Sequence, residues 1–468
     1  MTRRVAVILA SGTGSRSGFS GPKQLMKLGG RPVIAHALER FQTHPLIDEI
    51  AVVTSHACMG EVEALVSRDR LTKVRRVLLG GAERHDSSLA AIRAYAANTP
   101  QDDLHLLFHD AVRPLISHAV IDRVVAALAY YGAVDTAVPS ADTVILADPA
   151  TMTISDIPDR RLIRLGQTPQ GFHYEVIRTA YDRALLDPDF RTTDDCGVVL
   201  RYAPEQKVYV VDGEASNLKL TYADDLMVLD KYLQSSAGRR LHAQPETMML
   251  SRLAGRTLVV FGGTSGIGDA IARLARAYGA RVHAVGRSTG VDITDADAVA
   301  ALLRQVAEEG HGIDAVVNAA AVLDRRPLAN MSAADVATSV NTNILGAINV
   351  AQASYESLRE SGGHLLMFAS SSYTYGRAFY STYSASKAAV VNLTQALADE
   401  WQEVGIRVNC INPERSRTPM RTKAFGYEPP HSLLEPDEVA RKALGVLIGR
   451  QTGFIYDVVK AAGVKAAA

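Results

Sequence analysis

Residues 5–24, VAVILASGTGSRSGFSGPKQ, decide how the amino-terminal half is read. The apolar run from Val5 to Leu9 predicts a short buried strand, bounded by small residues and glycines. The strand opens into a loop in which Gly12, Gly14, Gly18 and Gly21 leave backbone N–H groups uncovered. With no Cβ in the way, such a loop wraps phosphate oxygens closely. Arg16 and Lys23, seven residues apart, add fixed positive charge. Together they suit a triphosphate whose charge must be spread while one phosphoryl bond breaks. A glycine turn with solvated charges is the plainer alternative, and for a lone Gly-x-Gly it prevails.

At 468 residues the chain is too long for one ordinary core, and two domains of roughly 200 residues are expected. Its 50 Lys+Arg balance 50 Asp+Glu, so no bulk field argues for nucleic acid or an anionic membrane, and any polyanion site must be local. Cys58, Cys196 and Cys410 lie far apart with no C-x-x-C spacing. That pattern suggests neither a disulfide framework nor a zinc site, and a cytoplasmic location fits. The run after MTRR is too short for a signal segment, and no stretch approaches membrane-spanning length.

Short Val/Ile/Leu runs alternate with amphipathic stretches up to residue 233, with strands expected at 49–54 and 104–109 and helices at 34–41 and 87–97. Residues 234–252 lose that rhythm, gather Ser, Gly, Gln and Pro, and read as a linker. The alternation restarts at Thr257, with strands expected at 281–285, 315–317, 364–369 and 407–411 over a domain at 253–468. The fold class is α/β, with two doubly wound domains, 1–233 and 253–468.

Further motifs follow the first loop: GGAERHDS at 80–87, FHDAVRP at 108–114, Asp142-Thr143, Arg160 with Thr168-Pro169-Gln170 eight residues later, Thr193-Asp194, and Lys219 in NLKLT. Each alone is matched by a solvated surface residue or a capped turn. In this order they resemble the sugar-nucleotidyltransferase family, and within it the cytidylyltransferases that make CDP-linked alcohols. Ser11 and Ser17 are the departures from the usual loop. The resemblance implies a nucleotidyltransferase Rossmann-like fold, with Ala10, Ser11, Gly12, Gly14, Gly81 and Ser87 binding CTP. Asp110, a carboxylate at a strand end, would hold Mg²⁺ against the triphosphate. Arg16, Lys23 and Lys219 would be catalytic; Arg113, Arg160 and Thr193 would orient the acceptor. Asp142 and Thr143 would lie on an arm that reaches across a homodimer.

In the second half, Gly262, Gly266 and Gly268 follow a strand and open a helix, with pyrophosphate expected at its N-terminus. Tyr383 and Lys387 are four apart, so on a helix phenol and ammonium share a face. The cation is expected to lower the phenol pKa and make Tyr383 a proton donor. Ser370 stands thirteen residues before Tyr383, with Ser371 and Ser372 leaving its register open by one or two, and Asn343 begins NILG. This set resembles the short-chain dehydrogenase/reductase family and implies its Rossmann fold. By that resemblance Ser370 binds the carbonyl, Asn343 serves a proton relay, and Thr264, Ser265, Ile267, Asp292 and Asn318 join the cofactor site. Arg287 and Ser288, where an acid would favour NAD, suit a 2′-phosphate, so NADPH is expected. Arg415 and Arg417 in NPERSRTPMR, with Arg421 beside them, suit an anionic substrate; a solvated basic loop is the alternative.

Transferase first and reductase second resembles the bifunctional ribulose-5-phosphate reductase/CDP-ribitol pyrophosphorylase family. The resemblance implies NADPH reduction of D-ribulose 5-phosphate, then reaction of D-ribitol 5-phosphate with CTP. Other ketose phosphates, a methylerythritol-phosphate transferase with an unrelated reductase, and a non-catalytic NADPH-binding scaffold remain alternatives.

Overall fold

The apolar run after Arg4 forms β1 (Arg3–Ala10), whose last six residues are all buried. A computed structural model describes residues 2–12, 21–81, 83–96, 104–240 and 246–460, with 235–240 and Glu246 by backbone alone. The chain divides into two units, Met1–Tyr232 and Leu233–Ala468.

In the first unit β1 is joined by β2 (Glu49–Thr54), β3 (Val74–Leu79), β4 (Leu104–Asp110), β5 (Ala133–Pro139), β6 (Arg164–His173) and β7 (Val208–Asp212). The strand order is β7-β5-β6-β4-β1-β2-β3, and β6 alone runs antiparallel to its neighbours. Helices α1 (Val33–Thr43), α2 (Met59–Arg68), α3 (Arg84–Ala94), α4 (His118–Ala127), α5 (Tyr174–Ala184) and α6 (Asp195–Tyr202) alternate with the strands, and α7 (Ala223–Arg240) follows them. Two apolar cores lie about the sheet, one built with Ile34, Leu38 and Val120, the other with Phe108, Tyr174 and Ile177. Helix α3 starts three residues before the expected 87, because the Asp86 carboxylate accepts the Glu83 N–H at 2.9 Å and caps its first turn. The sheet changes direction at β1, flanked by β2 on one side and β4 on the other. Leu9 registers with Asp110, so the glycine loop and that carboxylate leave the sheet at one end, the crevice where such sheets bind ligands.

Residues 234–252, expected as a linker, carry the end of α7 and a short helix α8 (Glu246–Leu250). Ala and Arg favour helix even where polar residues have erased the apolar period.

The second unit holds β8 (Thr257–Phe261), β9 (Arg281–Val285), β10 (Ala315–Asn318), β11 (His364–Phe368), β12 (Arg407–Pro413) and β13 (Ile455–Val458). They form an all-parallel sheet in the order β9-β8-β10-β11-β12-β13. Its helices are α9 (Gly266–Ala277), α10 (Ala296–Glu308), α11 (Ala333–Val340), α12 (Gly346–Ser361), α13 (Ser381–Glu400), α14 (Pro419–Phe425) and α15 (Pro436–Ile448). The reversal of strand order falls at β8, beside the loop that opens α9. No helix among the described residues is long and apolar enough to cross a membrane.

Candidate active sites

At the end of β4 the buried Asp110 carboxylate meets three cations. Lys219 Nζ lies 2.9 Å away, and Arg84 Nε and Arg113 Nε each lie 3.6 Å away. Burial alone would raise this carboxyl; Lys219, Arg84 and Arg113 outweigh it and hold the pKa well below the usual carboxylate range. No group of three or more His, Cys, Asp or Glu that could hold a metal ion occurs among the described residues.

Lys23 joins the same corner by donating to the Thr221 carbonyl at 2.6 Å, two residues from Lys219. Gln24 ties the start of the loop by donating to the Ala10 carbonyl at 2.7 Å. Ser11 and Ser87 share a hydroxyl hydrogen bond of 2.5 Å, which joins the first loop to the GGAERHDS segment. Gly80 and Gly81 admit that approach: a Cβ on Gly80 would stand 2.6 Å from Ser87 Oγ, and one on Gly81 would collide with Asp86. Ala10, Ser11, Gly12, Gly81 and Ser87 therefore flank one corner. Gly14 and Arg16 lie outside the described residues.

Arg113 is almost wholly buried and donates to the Asn217 and Gly166 carbonyls at 2.8 and 3.3 Å. Thr168 accepts the Asp110 N–H at 3.1 Å and bonds His109 Nδ1 at 2.9 Å, so the TPQ segment buttresses the strand end. Asp142, Thr143 and Arg160 are exposed on the arm between β5 and β6, with Arg160 donating to the Ala141 carbonyl. No hydrogen bond or ion pair among the described residues joins them to Asp110 or Arg113. Thr193 is exposed beside the N-cap of α6, where Asp194 accepts from Gly197 N–H at 2.7 Å.

Sequence reasoning missed Arg84 as a site residue. Its Nη1 bonds the fully buried Asp195 at 2.6 Å, and Tyr181 donates to the other Asp195 oxygen at 2.7 Å. The R of GGAERHDS was the only signal.

In the second unit a cleft of about 1000 Å³ runs from the glycine loop to α14. Gly262 adopts φ +71, and a Cβ there would lie 2.6 Å from the Ala320 nitrogen, so a side chain is excluded on two counts. Gly268 packs against the Gly262 carbonyl, while Thr264, Ser265, Gly266 and Ile267 line the cleft. Arg287 and Ser288 are exposed at its far end, just past β9, and Asp292 lies beside them with its carboxylate turned to Thr294. Asn318 is buried at the end of β10 and accepts the Ala320 N–H at 3.2 Å.

Helix α13 brings Tyr383 and Lys387 into the cleft, with the ammonium 5.6 Å from the Tyr383 ring centroid. Lys387 is buried and donates to the Phe368 carbonyl at 2.8 Å. Ser370 and Ser371 both line the cleft, and the Ser370 hydroxyl bonds the Tyr383 phenol, whereas Ser372 is buried. The expected lowering of the phenol pKa is corrected here. Burial pushes the Tyr383 phenol up to about 12, only partly offset by Ser370, and burial pushes the Lys387 amine down to about 8. Asn343 sits in a π-helical turn that packs on α13. Its side chain is spent on Val322, accepting the N–H at 2.8 Å and donating to the carbonyl at 2.9 Å, which fixes the cleft wall.

Arg415 lines the cleft, as does Arg421. Arg417 does not, which corrects the expectation for it: it points to the surface and forms a fork with Glu435 at 2.5 to 3.0 Å.

Two side-chain constellations thus sit on two sheets, and the chain's likeness to known proteins divides it in the same way. Residues 4–235 match the 2-C-methyl-D-erythritol 4-phosphate cytidylyltransferase family, and residues 288–428 match the short chain dehydrogenase family. Over 457 residues, 98% of this chain and 96% of the relative, it is 42% identical to the bifunctional ribulose 5-phosphate reductase/CDP-ribitol pyrophosphorylase of Haemophilus influenzae. The chain belongs to that bifunctional family. It is an enzyme with a cytidylyltransferase unit and a short-chain oxidoreductase unit, which removes the non-catalytic scaffold as a reading of the second. It is also 44% identical, over 51% of its length and 96% of the relative, to the 2-C-methyl-D-erythritol 4-phosphate cytidylyltransferase of Thermobifida fusca. A short chain dehydrogenase of Shigella flexneri 2a, solved with NADP, is 29% identical at a TM-score of 0.41, covering 44% of this chain and 97% of that one.

Proposed function

We propose that the chain makes CDP-ribitol in two steps. In the carboxy-terminal unit D-ribulose 5-phosphate, NADPH and a proton give D-ribitol 5-phosphate and NADP⁺. In the amino-terminal unit that product and CTP give CDP-ribitol and diphosphate. The observation that carries this reading is identity sustained over 98% of the chain to a relative named for both activities.

For the transfer, the acceptor phosphate is already ionised near neutral pH, so its oxygen attacks the α-phosphorus of CTP without a general base. The protein's work is positioning and neutralisation. Amides of Gly12 and Gly14, with Arg16 and Lys23, take the outer phosphates, and Lys219 steadies the α-phosphate. Gly81 and Ser87 read the base. Arg113, Thr193 and Arg160 orient the acceptor, with Asp142 and Thr143 coming from a second copy. Asp110 fits Mg²⁺, an ion that is held through one or two carboxylates and completed by phosphate oxygens and water. Bound there, Mg²⁺ would neutralise charge on the triphosphate. The arm's exposed Leu146, Met152, Ile154 and Leu162 support a homodimer.

For the reduction, Tyr383 gives its proton to the ketone oxygen, Ser370 holds that oxygen, and Lys387 balances the phenolate left behind. NADPH supplies the hydride. Gly262, Gly266 and Gly268 admit its pyrophosphate, Asp292 and Asn318 flank the adenosine, and Arg287 with Ser288 hold the 2′-phosphate. A cytoplasmic enzyme of this kind would supply CDP-ribitol to a capsule or teichoic-acid-like polymer.

The test is a panel of ketose phosphates offered with NADPH and CTP together, the CDP-polyol being identified by mass. CDP-ribitol from D-ribulose 5-phosphate is expected. The 44% identity to a methylerythritol-phosphate enzyme favours one rival acceptor, which the same panel with 2-C-methyl-D-erythritol 4-phosphate distinguishes.

A further inference from the structure

The mouth of the reductase cleft carries more positive charge than proton donation needs. Phe425 closes α14 and is met by the Arg421 guanidinium 4.1 Å from its ring centroid, the Arg325 guanidinium at 4.9 Å and the Tyr380 ring at 5.7 Å. Tyr380 in turn meets Tyr383 at 6.3 Å. Arg421 is thus fixed at the end of a run of rings that leads to the proton donor, and its charge is felt by the phenol. Its fork is occupied: Nε and Nη2 donate to the two Glu428 oxygens at 2.7 and 2.9 Å. Arg377 and Arg415 line the same cleft. Glu414 is there as well, but one of its carboxylate oxygens accepts the Lys460 N–H at 3.0 Å.

At this end of the cleft Arg377, Arg415 and Arg421 stand against Glu414 and Glu428, and the one surplus positive charge is left for an anion that the chain does not itself provide. A guanidinium fork fits phosphate as well as carboxylate, and does so by two parallel hydrogen bonds that lysine cannot make. We propose that Arg421, with Arg377 and Arg415, is the subsite for the phosphoryl group of the reductase substrate, and that Glu428 is a carboxylate placeholder displaced from the Arg421 fork when that group arrives. This deepens the reading of the substrate as a ketose phosphate and rests on it.

The full-length chain tests both parts. Arg421→Lys keeps the charge and loses the fork. It raises KM for D-ribulose 5-phosphate about tenfold or more, with little change in kcat, and so narrows the preference for D-ribulose 5-phosphate over unphosphorylated D-ribulose by about that factor. Equal losses on both ketoses overturn the subsite. Inorganic phosphate titrated calorimetrically into the NADPH-loaded chain tests the placeholder, and comparison with Glu428→Gln cancels phosphate taken by the amino-terminal unit, where Glu428 does not lie. Tighter binding by Glu428→Gln than by the wild type is expected; equal or weaker binding overturns the displacement. If wild type binds phosphate through Arg421 yet does not reduce D-ribulose 5-phosphate, the pentulose is wrong and the subsite stands.

Discussion

Lys219 Nζ lies 2.9 Å from Asp110 Oδ2, so the half-exposed ammonium and the buried carboxylate at the end of β4 form one ion pair in the transferase site. Lys23 reaches the same short segment through the Thr221 carbonyl, although 198 residues separate it from that partner.

In the proposed transfer both lysines act on charge that grows in the transition state. Lys23→Ala and Lys219→Ala therefore lower kcat for CDP-polyol formation by about 10²–10³ while raising KM for CTP far less. Diphosphate release at saturating CTP measures this, and near-normal turnover in either variant removes that lysine from the mechanism.

Asp195 carries a prediction about stability. It is fully buried between Arg84 and Tyr181, and Arg84 also faces Asp110. Asp195→Asn leaves the Arg84 cation short of its partner and costs about 3–5 kcal/mol. Calorimetry should show the loss, and transferase activity should fall with it. An unchanged melting profile would mean that Asp110 alone suffices for Arg84.

The reductase has a pH signature with a definite sign. The Lys387 amine, pushed down to about 8 by burial, loses its proton as pH rises, while the Tyr383 phenol, pushed up to about 12 by burial, keeps its own. Ketone reduction is therefore level below pH 7 and falls above pH 8 as the ammonium disappears. Between about 8 and the ordinary 10.5 the unfolded chain binds the Lys387 proton and the folded chain does not. Wild type thus gains stability relative to Lys387→Met as pH rises through that window. Initial rates and melting temperatures at stepped pH check the two halves separately.

Arg287 is exposed just past β9 at the far end of the reductase cleft. In the proposed cofactor site Arg287→Ala removes a charged hydrogen bond to the 2′-phosphate, an interaction of about 1.5–3 kcal/mol, and is expected to weaken NADPH by roughly 10- to 100-fold. NADH, which lacks that phosphate, changes little. Fluorescence titration of both dinucleotides decides, and equal losses would assign Arg287 to the fold.

What the sequence reveals depends on how local its cause is. Apolar runs place β1, β2 and β9 closely, and the four-residue spacing of Tyr383 and Lys387 puts both in one cleft, because each depends on a few neighbours in the chain. Arg84 escapes notice because its buried partner Asp195 lies 111 residues away. Arg415, Arg417 and Arg421 look alike in a row, and only the packing separates a guanidinium that forks with Glu435 at the surface from one that forks with Glu428 in the cleft. The phenol is misread for a similar reason: the pattern shows the cation four residues on but not the desolvation that raises the phenol, against which Ser370 and Arg421 pull only in part.

Helix α7 contains both Tyr232 and Leu233, the last residue of one unit and the first of the next. The two catalysts therefore leave the ribosome in a fixed one-to-one ratio, and gene expression has no means of making one outnumber the other. Any imbalance between supply of the polyol phosphate and its consumption has to be corrected by turnover numbers and metabolite levels, which places the evolutionary pressure on the kinetics of the slower half.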